Sequence, residues 1–340
     1  MRNKILFGLA VISCAFSIAI AQTKPATMKA VVADGYGGPE VLKYQDVPKP
    51  EPKSDEILVR VMAAAVNPVD TYVRQGKFFK RSANEGPVIL GYDIAGVVEK
   101  TGADAKRFKA GDAVYCYLSV ARGGGYAEFS VAKESETSLK PKNMSFEQAA
   151  AVPLAATTAW QALIDDAKIQ TGQTVLIHGG SGGVGSFAIQ IAKARGVKVI
   201  ATASTAHQET LKQLGVDQAI DYTTTKFEDV VKDVDAVLNC VRADALGRSY
   251  GVVKKGGRIV SITDEPDQSE CAKRGITCSR MGAHPDSKVL EELTKLAEAG
   301  KMKSIVSQTF PLAETAKAHE QIETRHTLGK IVLKVNEEKK

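Results

Sequence analysis

The sequence predicts an α/β protein that combines a β-rich part with a doubly wound parallel sheet. Two patterns lead to this prediction. From Met28 to about residue 144, strand-like segments are separated by Gly, Pro and Asp, as in a twisted, barrel-like sheet. From Ser145 onward, apolar strand-like segments alternate with helical patterns, which implies right-handed crossovers and a parallel sheet. The 340 residues suffice for two domains of ordinary size.

The first 21 residues have the pattern of a secretory signal peptide. Arg2 and Lys4 precede an apolar run over residues 5–20, and the run ends in a small-x-small cleavage site. It is short for a membrane-spanning helix, which needs about 20 residues. We therefore expect cleavage after Ala21 and export to the periplasm or the cell exterior. An uncleaved membrane anchor through residues 5–20 is the alternative.

The charge and cysteine content of the mature chain exclude several classes of partner. Removal of the leader leaves 43 Lys plus Arg against 39 Asp plus Glu, a net charge of +4, with no basic stripe. We expect no nucleic-acid partner and, after cleavage, no membrane association.

No C-x-x-C pair is present, which argues against structural zinc. Cys271 and Cys278 lie seven residues apart and either form a disulfide in an oxidising compartment or remain free thiols.

A glycine cluster follows the strand-like segment TVLIH and opens the helical pattern VGSFAIQIAK. It matches G-x-G-x-x-G, which is informative only in this strand-to-helix context. The first glycine permits a tight turn, the second lets the backbone approach a pyrophosphate, and the third lets helix and strand pack closely. The helix N-terminus then faces the phosphates. The predicted dinucleotide-binding residues are Gly180, Ser181, Gly182, Gly183, Val184 and Gly185.

The end of the next strand-like segment favours NADP(H) over NAD(H). A site that prefers NAD usually places Asp or Glu there, bonded to the ribose hydroxyls. Here the segment ends without an acid before Glu209. Ser204 and Thr205 can donate hydrogen bonds to a 2′-phosphate, and His207 can assist them.

Several longer stretches carry a resemblance to a known family. In chain order they are GGPEVLKYQDVP, AAAVNPVDTYVRQG, ILGYDIAGVV, GGGYAEF, TTAWQAL, HGGSGGVGSFAIQIAK and HTLGKIVLKV. With them the chain resembles the zinc-independent quinone oxidoreductase branch of the medium-chain dehydrogenase/reductase superfamily. The resemblance implies a GroES-like catalytic domain over residues 28–153, completed by residues 303–336, and a Rossmann domain over residues 154–302. It also implies an active site in the cleft between them and, as in such enzymes, a homodimer.

The zinc alcohol dehydrogenases of this superfamily carry a catalytic Cys and a Gly-His-Glu motif, and this chain departs from both. The corresponding places read Asn67 and Gly91-Tyr92-Asp93. The thiolate and imidazole ligands of a catalytic zinc are thus missing, so we expect no metal. Without a Lewis acid the substrate must accept hydride readily, as quinones and α,β-unsaturated carbonyls (enones) do.

The resemblance also implies site residues. Asn67 and Tyr72 line the substrate cleft, where neutral donors can stabilise a developing oxyanion. Asn67 bonds either the substrate or the cofactor ribose, and Asp70 has a structural hydrogen-bonding role. Further expected cofactor contacts are Thr158 and the Cys240-Val241 pair near the nicotinamide, Tyr222 near the adenosine 2′-phosphate, and Lys330 near the phosphates. The polar stretch DEPDQSECAKRGITCSRM replaces an apolar segment found in relatives, which leaves the substrate and the oligomeric state open. We therefore expect an NADPH-dependent reductase of quinones or enones, with a dinucleotide-binding sensor or scaffold as the alternative.

Overall fold

The computed structural model describes residues 26–78, 87–242 and 244–337, so the predicted signal peptide at residues 1–21 lies outside them. The strands of the described part, in chain order, are β1 (Thr27–Ala33), β2 (Leu42–Pro48), β3 (Glu56–Val66), β4 (Val88–Ile89), β5 (Asp93–Thr101), β6 (Ala113–Tyr117), β7 (Phe129–Lys133), β8 (Thr137–Leu139), β9 (Thr174–His178), β10 (Lys198–Ala203), β11 (Gln218–Asp221), β12 (Val234–Asn239), β13 (Val253–Ser261), β14 (Thr277–Arg280), β15 (Val306–Pro311) and β16 (Lys330–Lys334).

The helices of the described part alternate with strands mainly in its second half. In chain order they are α1 (Pro68–Arg74), α2 (Phe146–Ala150), α3 (Pro153–Trp160), α4 (Gly183–Ala194), α5 (Gln208–Gln213), α6 (Phe227–Val230), α7 (Ala245–Ser249), α8 (Gln268–Arg274), α9 (Ser287–Glu298) and α10 (Thr315–Glu323). A π-helical segment, Gln161–Asp166, continues α3. Within these ranges no helix has the length and apolar character that a membrane span requires.

The second half of the chain forms the predicted parallel sheet. Its strand order is β11-β10-β9-β12-β13-β14, and every neighbouring pair is parallel. The central strand β9 is buried on both faces, with Val175, Leu176 and Ile177 all inaccessible to solvent. Such burial is typical of a parallel sheet that is covered by helices on each side. The carboxyl ends of the strands form one edge, where ligands bind in this class of sheet.

The β-rich part contains a three-stranded sheet, β2-β1-β4, and a seven-stranded sheet. The larger sheet has the order β15-β16-β3-β5-β6-β8, and β7 also pairs with β3. Strand β16 lies antiparallel to β3, with Ile331 opposite Val66. The last strand therefore lies beside the strand that leads into α1. The α/β class, with a GroES-like part and a Rossmann part, is confirmed.

Helix α1 lies in a region that the sequence pattern indicated as mostly β. Asn67 is its N-cap, Pro68 occupies its first turn, and the Asp70 carboxylate accepts the Asn67 backbone N–H at 2.5 Å. Proline in the first turn and a polar N-cap are standard start signals for a helix. The helix holds Asn67 and Tyr72 at the end of β3.

The polar stretch that departs from the family pattern forms α8 and β14. Asp267 caps α8 by accepting two backbone N–H groups, and Gly275 ends the helix with a φ of 62°. Strand β14 is the edge strand of the parallel sheet. Cys271 of α8 and Cys278 of β14 form a disulfide with a Cα–Cα distance of 6.2 Å, so the structure selects the disulfide over free thiols.

Candidate active site

Strand β16 joins the glycine loop to the N-terminus of α1. Gly182 and Gly329 form a parallel bridge, and the Gly329 N–H donates to the Ser181 carbonyl at 2.8 Å. The next residue, Lys330, reaches the end of β3, where its ammonium donates to the Val66 carbonyl at 3.2 Å and to Asn67 Oδ1. The two parts of the molecule are thus connected at the cleft.

The glycines of the loop differ in what their backbone geometry and surroundings require. The tight turn is made by Gly179, with a φ of 74°, rather than by the first glycine of the motif. A Cβ on Gly180 would lie 2.9 Å from Ala201 and from Leu211, and a Cβ on Gly185 would collide with the Gly179 carbonyl. In contrast, the nearest protein atom to a Cβ on Gly182 is 3.4 Å away. Gly182 therefore leaves space that the protein itself does not fill.

The N-terminus of α4 offers free backbone donors beside this space. Gly182 caps the helix without a side chain, and the first intrahelical bond runs from the Ser186 N–H to the Gly182 carbonyl. The N–H groups of Gly183, Val184 and Gly185 precede that bond and are the orphan donors of the helix start. Together with the helix dipole they fit an anionic phosphate.

The outer end of the predicted cofactor site lies between β10 and β11. Ser181 Oγ lies 3.1 Å from His207 Nδ1, so the loop serine and this histidine are paired. Ser204 starts a short helical turn that contains Thr205, and Tyr222 beyond it is 55% exposed. The exposed ring offers a flat surface beside the strand ends.

An acid that the sequence pattern did not reveal lies at this end. Asp221 is opposite Ala203 in the β10–β11 pairing, and its carboxylate accepts Thr205 Oγ1 at 2.6 Å. Hydrogen bonds from Thr205 and Thr223 lower the pKa of Asp221, so the carboxylate is charged at neutral pH. The strand pairing that brings it here was the signal needed to find it.

The Cys240-Val241 pair lies at the end of β12, with its backbone fixed by buried polar side chains. The Val241 carbonyl accepts Asn239 Nδ2 and Thr263 Oγ1, each at 2.9 Å. The Val241 side chain packs on Gly179, where a Cβ would lie 2.7 Å away. Burial raises the pKa of the Cys240 thiol to about 12. Cys240 is therefore a neutral wall residue rather than a thiolate nucleophile.

A buried charged cluster lies under the N-terminus of α1. Asn67 Nδ2 donates to Asp93 Oδ2 at 2.8 Å, and the Lys330 ammonium lies 3.4 Å from the same oxygen. The Leu154 N–H donates to the other carboxylate oxygen at 2.6 Å. Asn67, Asp93 and Lys330 are all at least 96% buried. The ammonium of Lys330 is thus directed to this cluster and not to the open face of the glycine loop, which only its aliphatic stem contacts beside Gly183.

Thr158 lies on the helix that is bonded to this cluster, and Tyr72 lies on α1 beside Arg242. Thr158 Oγ1 donates to the Leu154 carbonyl at 2.7 Å, on the helix whose Leu154 N–H bonds Asp93. Tyr72 is partly exposed, and the Arg242 guanidinium carbon lies 5.4 Å from the centroid of its ring.

Asp70 is fully buried, and burial raises its pKa to about 7 although the Asn67 N–H lowers it. Its position as the partner of Asn67 is structural.

The predicted residues thus fall into two groups joined by β16. The glycine loop, the strand end around Thr205 and the Cys240-Val241 pair lie at the carboxyl ends of the neighbouring strands β9, β10 and β12. Asn67 and Tyr72 belong to the α1 segment, and Thr158 lies on α3, whose Leu154 N–H donates to Asp93. Among residues 26–78, 87–242 and 244–337, no three His, Cys, Asp or Glu side chains are grouped as metal ligands.

Comparisons with known proteins agree with this arrangement. Residues 53–142 match the alcohol dehydrogenase GroES-like domain, and residues 214–333 match the family described as zinc-binding dehydrogenase. The NADPH-dependent alkenal/one oxidoreductase of Arabidopsis thaliana is 38% identical over 335 residues, which cover 94% of this chain and 83% of the relative. The quinone oxidoreductase of Rattus norvegicus is 34% identical, over 90% and 97% of the two chains.

Solved structures are similar over most of their length. The quinone oxidoreductase from Coxiella burnetii superposes with a TM-score of 0.85 at 36% identity, covering 92% of this chain and all of that one. A mycobacterial protein in complex with NADPH has a TM-score of 0.80 at 30% identity, covering 90% and 99%.

Proposed function

Because the chain belongs to the quinone oxidoreductase branch of the medium-chain dehydrogenase/reductase superfamily, we propose that it is an NADPH-dependent reductase of quinones or enones that works without a metal. The observation that carries the proposal is the connection of an open glycine loop, through β16, to the Asn67–Tyr72 segment. A protein that only binds dinucleotides needs the glycine loop but not the Asn67–Tyr72 segment.

The glycine loop fits the pyrophosphate of NADPH. The space at Gly182 and the free donors at the start of α4 would hold it, and Ser204, Thr205 and Tyr222 would surround the adenosine ribose. When bound, NADPH supplies a hydride. The neutral Cys240 thiol and the Val241 side chain would give the nicotinamide end of the cofactor site an uncharged surface.

The cluster under α1 supports chemistry without a metal. The places of the zinc-ligating Cys and His hold Asn67 and Tyr92, and burial raises the pKa of Tyr92 far above its usual value, so its hydroxyl stays protonated. The Lys330 ammonium already neutralises Asp93, and a divalent cation there would be repelled by it. Elemental analysis should find no stoichiometric zinc; one tightly bound equivalent per chain contradicts this part of the proposal.

Without a metal, neutral hydrogen-bond donors must stabilise the negative charge that develops on the acceptor's carbonyl oxygen. Tyr72, at the mouth of the cleft, donates its hydroxyl proton in a hydrogen bond to that oxygen. Asn67 contributes at most one amide N–H, because its carbonyl accepts Lys330 and its other N–H bonds Asp93. Removal of one such donor typically costs 10²–10³ in kcat in an oxyanion site.

The test is Tyr72→Phe, assayed with a panel of quinones and enones. We expect kcat to fall by about tenfold or more, with the NADPH dissociation constant unchanged, since the hydroxyl acts on the acceptor. Tyr44→Phe, at an exposed tyrosine on β2, is the control. Unchanged turnover in Tyr72→Phe removes the assigned role. Saturable NADPH binding by the wild type without turnover on any acceptor favours the sensor or scaffold.

The choice of NADPH over NADH is tested separately. Ser204 and Tyr222 can donate hydrogen bonds to a 2′-phosphate, whereas the Asp221 carboxylate, which already accepts the Thr205 hydroxyl, opposes it. We expect NADPH to bind more tightly than NADH, and Asp221→Asn to widen the difference because a negative charge is removed. Equal affinities in the wild type contradict the preference.

We also propose that the chain is exported after cleavage at Ala21 and acts as a homodimer. The Cys271–Cys278 disulfide supports an oxidising compartment, and the open edge of β14 supports self-association. N-terminal sequencing of protein purified from its host should start at Gln22, and light scattering should give twice the chain mass. An intact N-terminus favours the membrane anchor.

A further inference from the structure

We propose that Arg242 is a specificity-determining residue that favours acceptors carrying a carboxylate, sulfonate or phosphate group beside the reducible enone or quinone. The inference rests on the proposed reductase function and names the class of substrate that this cleft selects. It follows from the position of one permanently charged side chain at the mouth of the cleft.

Arg242 reaches across the cleft from one part of the molecule to the other. It directly follows Cys240-Val241 at the carboxyl end of β12, in the parallel sheet. Its guanidinium carbon lies 5.4 Å from the ring centroid of Tyr72, which belongs to α1 at the end of the antiparallel β3. The positive charge is therefore next to the residue that we place at the acceptor's carbonyl oxygen.

The guanidinium retains capacity for a ligand. In the part of the chain that the structure describes, its polar contact is one ion pair, from Nη1 to Asp264 Oδ1 at 3.3 Å. The Arg242 side chain is 47% exposed, and a guanidinium has five N–H donors in a planar fork. One edge can stay with Asp264 while the other binds an anionic group in two parallel hydrogen bonds.

The carboxylate partner is itself anchored. The Asp264 backbone N–H donates to Ser261 Oγ at 3.1 Å, and Arg280 Nε donates to the neighbouring Thr263 carbonyl at 3.2 Å. Asp264 thus holds Arg242 over the cleft and reduces its net charge. Removal of the Asp264 charge should therefore increase the attraction of anionic acceptors, whereas removal of the Arg242 charge should abolish it.

The experiment compares an acid with its ester. The probes are 4-oxopent-2-enoic acid, which is a carboxylate at neutral pH, and its methyl ester, which has the same enone without the charge. The variants are Arg242→Met, which keeps an apolar contact to Tyr72, and Asp264→Asn. Arg195→Met is the control, because Arg195 makes a similar contact with Trp160 away from the cleft.

We expect Arg242→Met to lose about tenfold in kcat/KM for the acid and to stay within about twofold for the ester, since one charge-assisted pair contributes about that much. Asp264→Asn should raise the ratio of acid to ester, and Arg195→Met should leave the ratio unchanged. An equal loss for acid and ester in Arg242→Met overturns the proposal and makes Arg242 a structural contact of Tyr72.

A binding measurement separates this inference from the reductase function. The saturated analogues 4-oxopentanoic acid and its methyl ester cannot be reduced at a conjugated double bond, so their affinity for the NADPH-loaded protein by calorimetry is independent of turnover. Tighter binding of the acid that is lost in Arg242→Met supports the inference even if no enone is reduced. Equal binding of acid and ester by the wild type, with enone turnover intact, overturns the inference alone.

Discussion

Lys330 is the residue on which the two halves of the site depend. Its backbone follows the bridge to the glycine loop, its stem packs beside Gly183, and its ammonium neutralises a fully buried Asp93. Buried pairs of this kind contribute little net stability, but removal of one partner leaves an uncompensated charge. Lys330 is therefore a positioning residue for Asn67 rather than a ligand of the phosphates.

Lys330→Met should lower the free energy of unfolding by about 3 kcal/mol, because Asp93 then lacks its counter-charge. Chemical denaturation measures this change. Asp93→Asn in the same chain should restore part of the loss, and Lys334→Met, on the exposed end of β16, should have little effect. A single Lys330→Met variant as stable as the wild type contradicts the assigned coupling.

His178 makes the stability of the parallel sheet depend on pH. Its ring lies between Thr202 Oγ1 at 3.1 Å and Ser249 Oγ at 3.0 Å, and burial lowers its pKa from 6.5 to about 4. The unfolded chain therefore binds this proton at a higher pH than the folded chain does. The contribution of neutral His178 is complete above about pH 6.5 and is lost as the pH falls toward 4, by about 3 kcal/mol.

The measurement is urea unfolding of the wild type and His178→Gln between pH 7.5 and 4.5. The stability difference between the two proteins should shift against the wild type as the pH falls, because only the wild type carries this histidine. The buried Asp70, whose raised pKa has the opposite effect on stability, is common to both proteins and cancels in the difference. A difference that is constant with pH contradicts the prediction.

Substitutions at two glycines of the loop should have different effects on thermal stability and on NADPH binding. Gly182→Ala should leave the melting temperature unchanged, since the nearest protein atom is 3.4 Å from the new Cβ, yet weaken NADPH binding about tenfold or more by filling the space for the pyrophosphate. Gly185→Ala should lower the melting temperature, since its Cβ meets the Gly179 carbonyl. Thermal unfolding and fluorescence titration measure the two effects; similar behaviour of both variants contradicts the distinction.

Elements with strong local signals were predictable from the sequence. The strand, glycine turn and helix around residues 174–194 follow from apolar periodicity and glycine spacing alone. Helix α1 was missed because its seven residues lie among strand-like segments of the sequence, although Asn67, Pro68 and Asp70 form a helix start signal. Helix α8 was missed because its surface is polar, and only the cap at Asp267 and the turn at Gly275 mark its ends.

At the scale of the whole molecule, the site could be predicted only in part. The resemblance indicated Asn67 and Tyr72, but Lys330 contacts Asn67, 263 positions away in the chain, only because β16 pairs with β3. Arg242 likewise contacts Tyr72 only because the two sheets are placed against each other. Local patterns contain no information on such pairings, so the charge arrangement of the cleft required the structure.

The disulfide lies at the periphery of the molecule and should act on stability without acting on the site. It closes a short loop between α8 and β14, so reduction should cost about 2 kcal/mol. Thermal unfolding with and without reductant measures this, and the double variant Cys271→Ser/Cys278→Ser should be insensitive to reductant. NADPH affinity should not change on reduction; if it falls, the α8–β14 segment is coupled to the glycine loop.

The position of Lys330 in the chain also sets an order of events during synthesis. Asp93 is made 237 residues before the lysine that neutralises it. At translation rates of roughly 5–20 residues per second, Lys330 is synthesised roughly 10–50 seconds after Asp93. Until β16 has been made, residues 63–66 of β3 lack their partner strand on that side, and the glycine loop lacks the bridge that joins it to Asn67. If the chain is exported as proposed, it would meet the export machinery before β16 joins the glycine loop to Asn67.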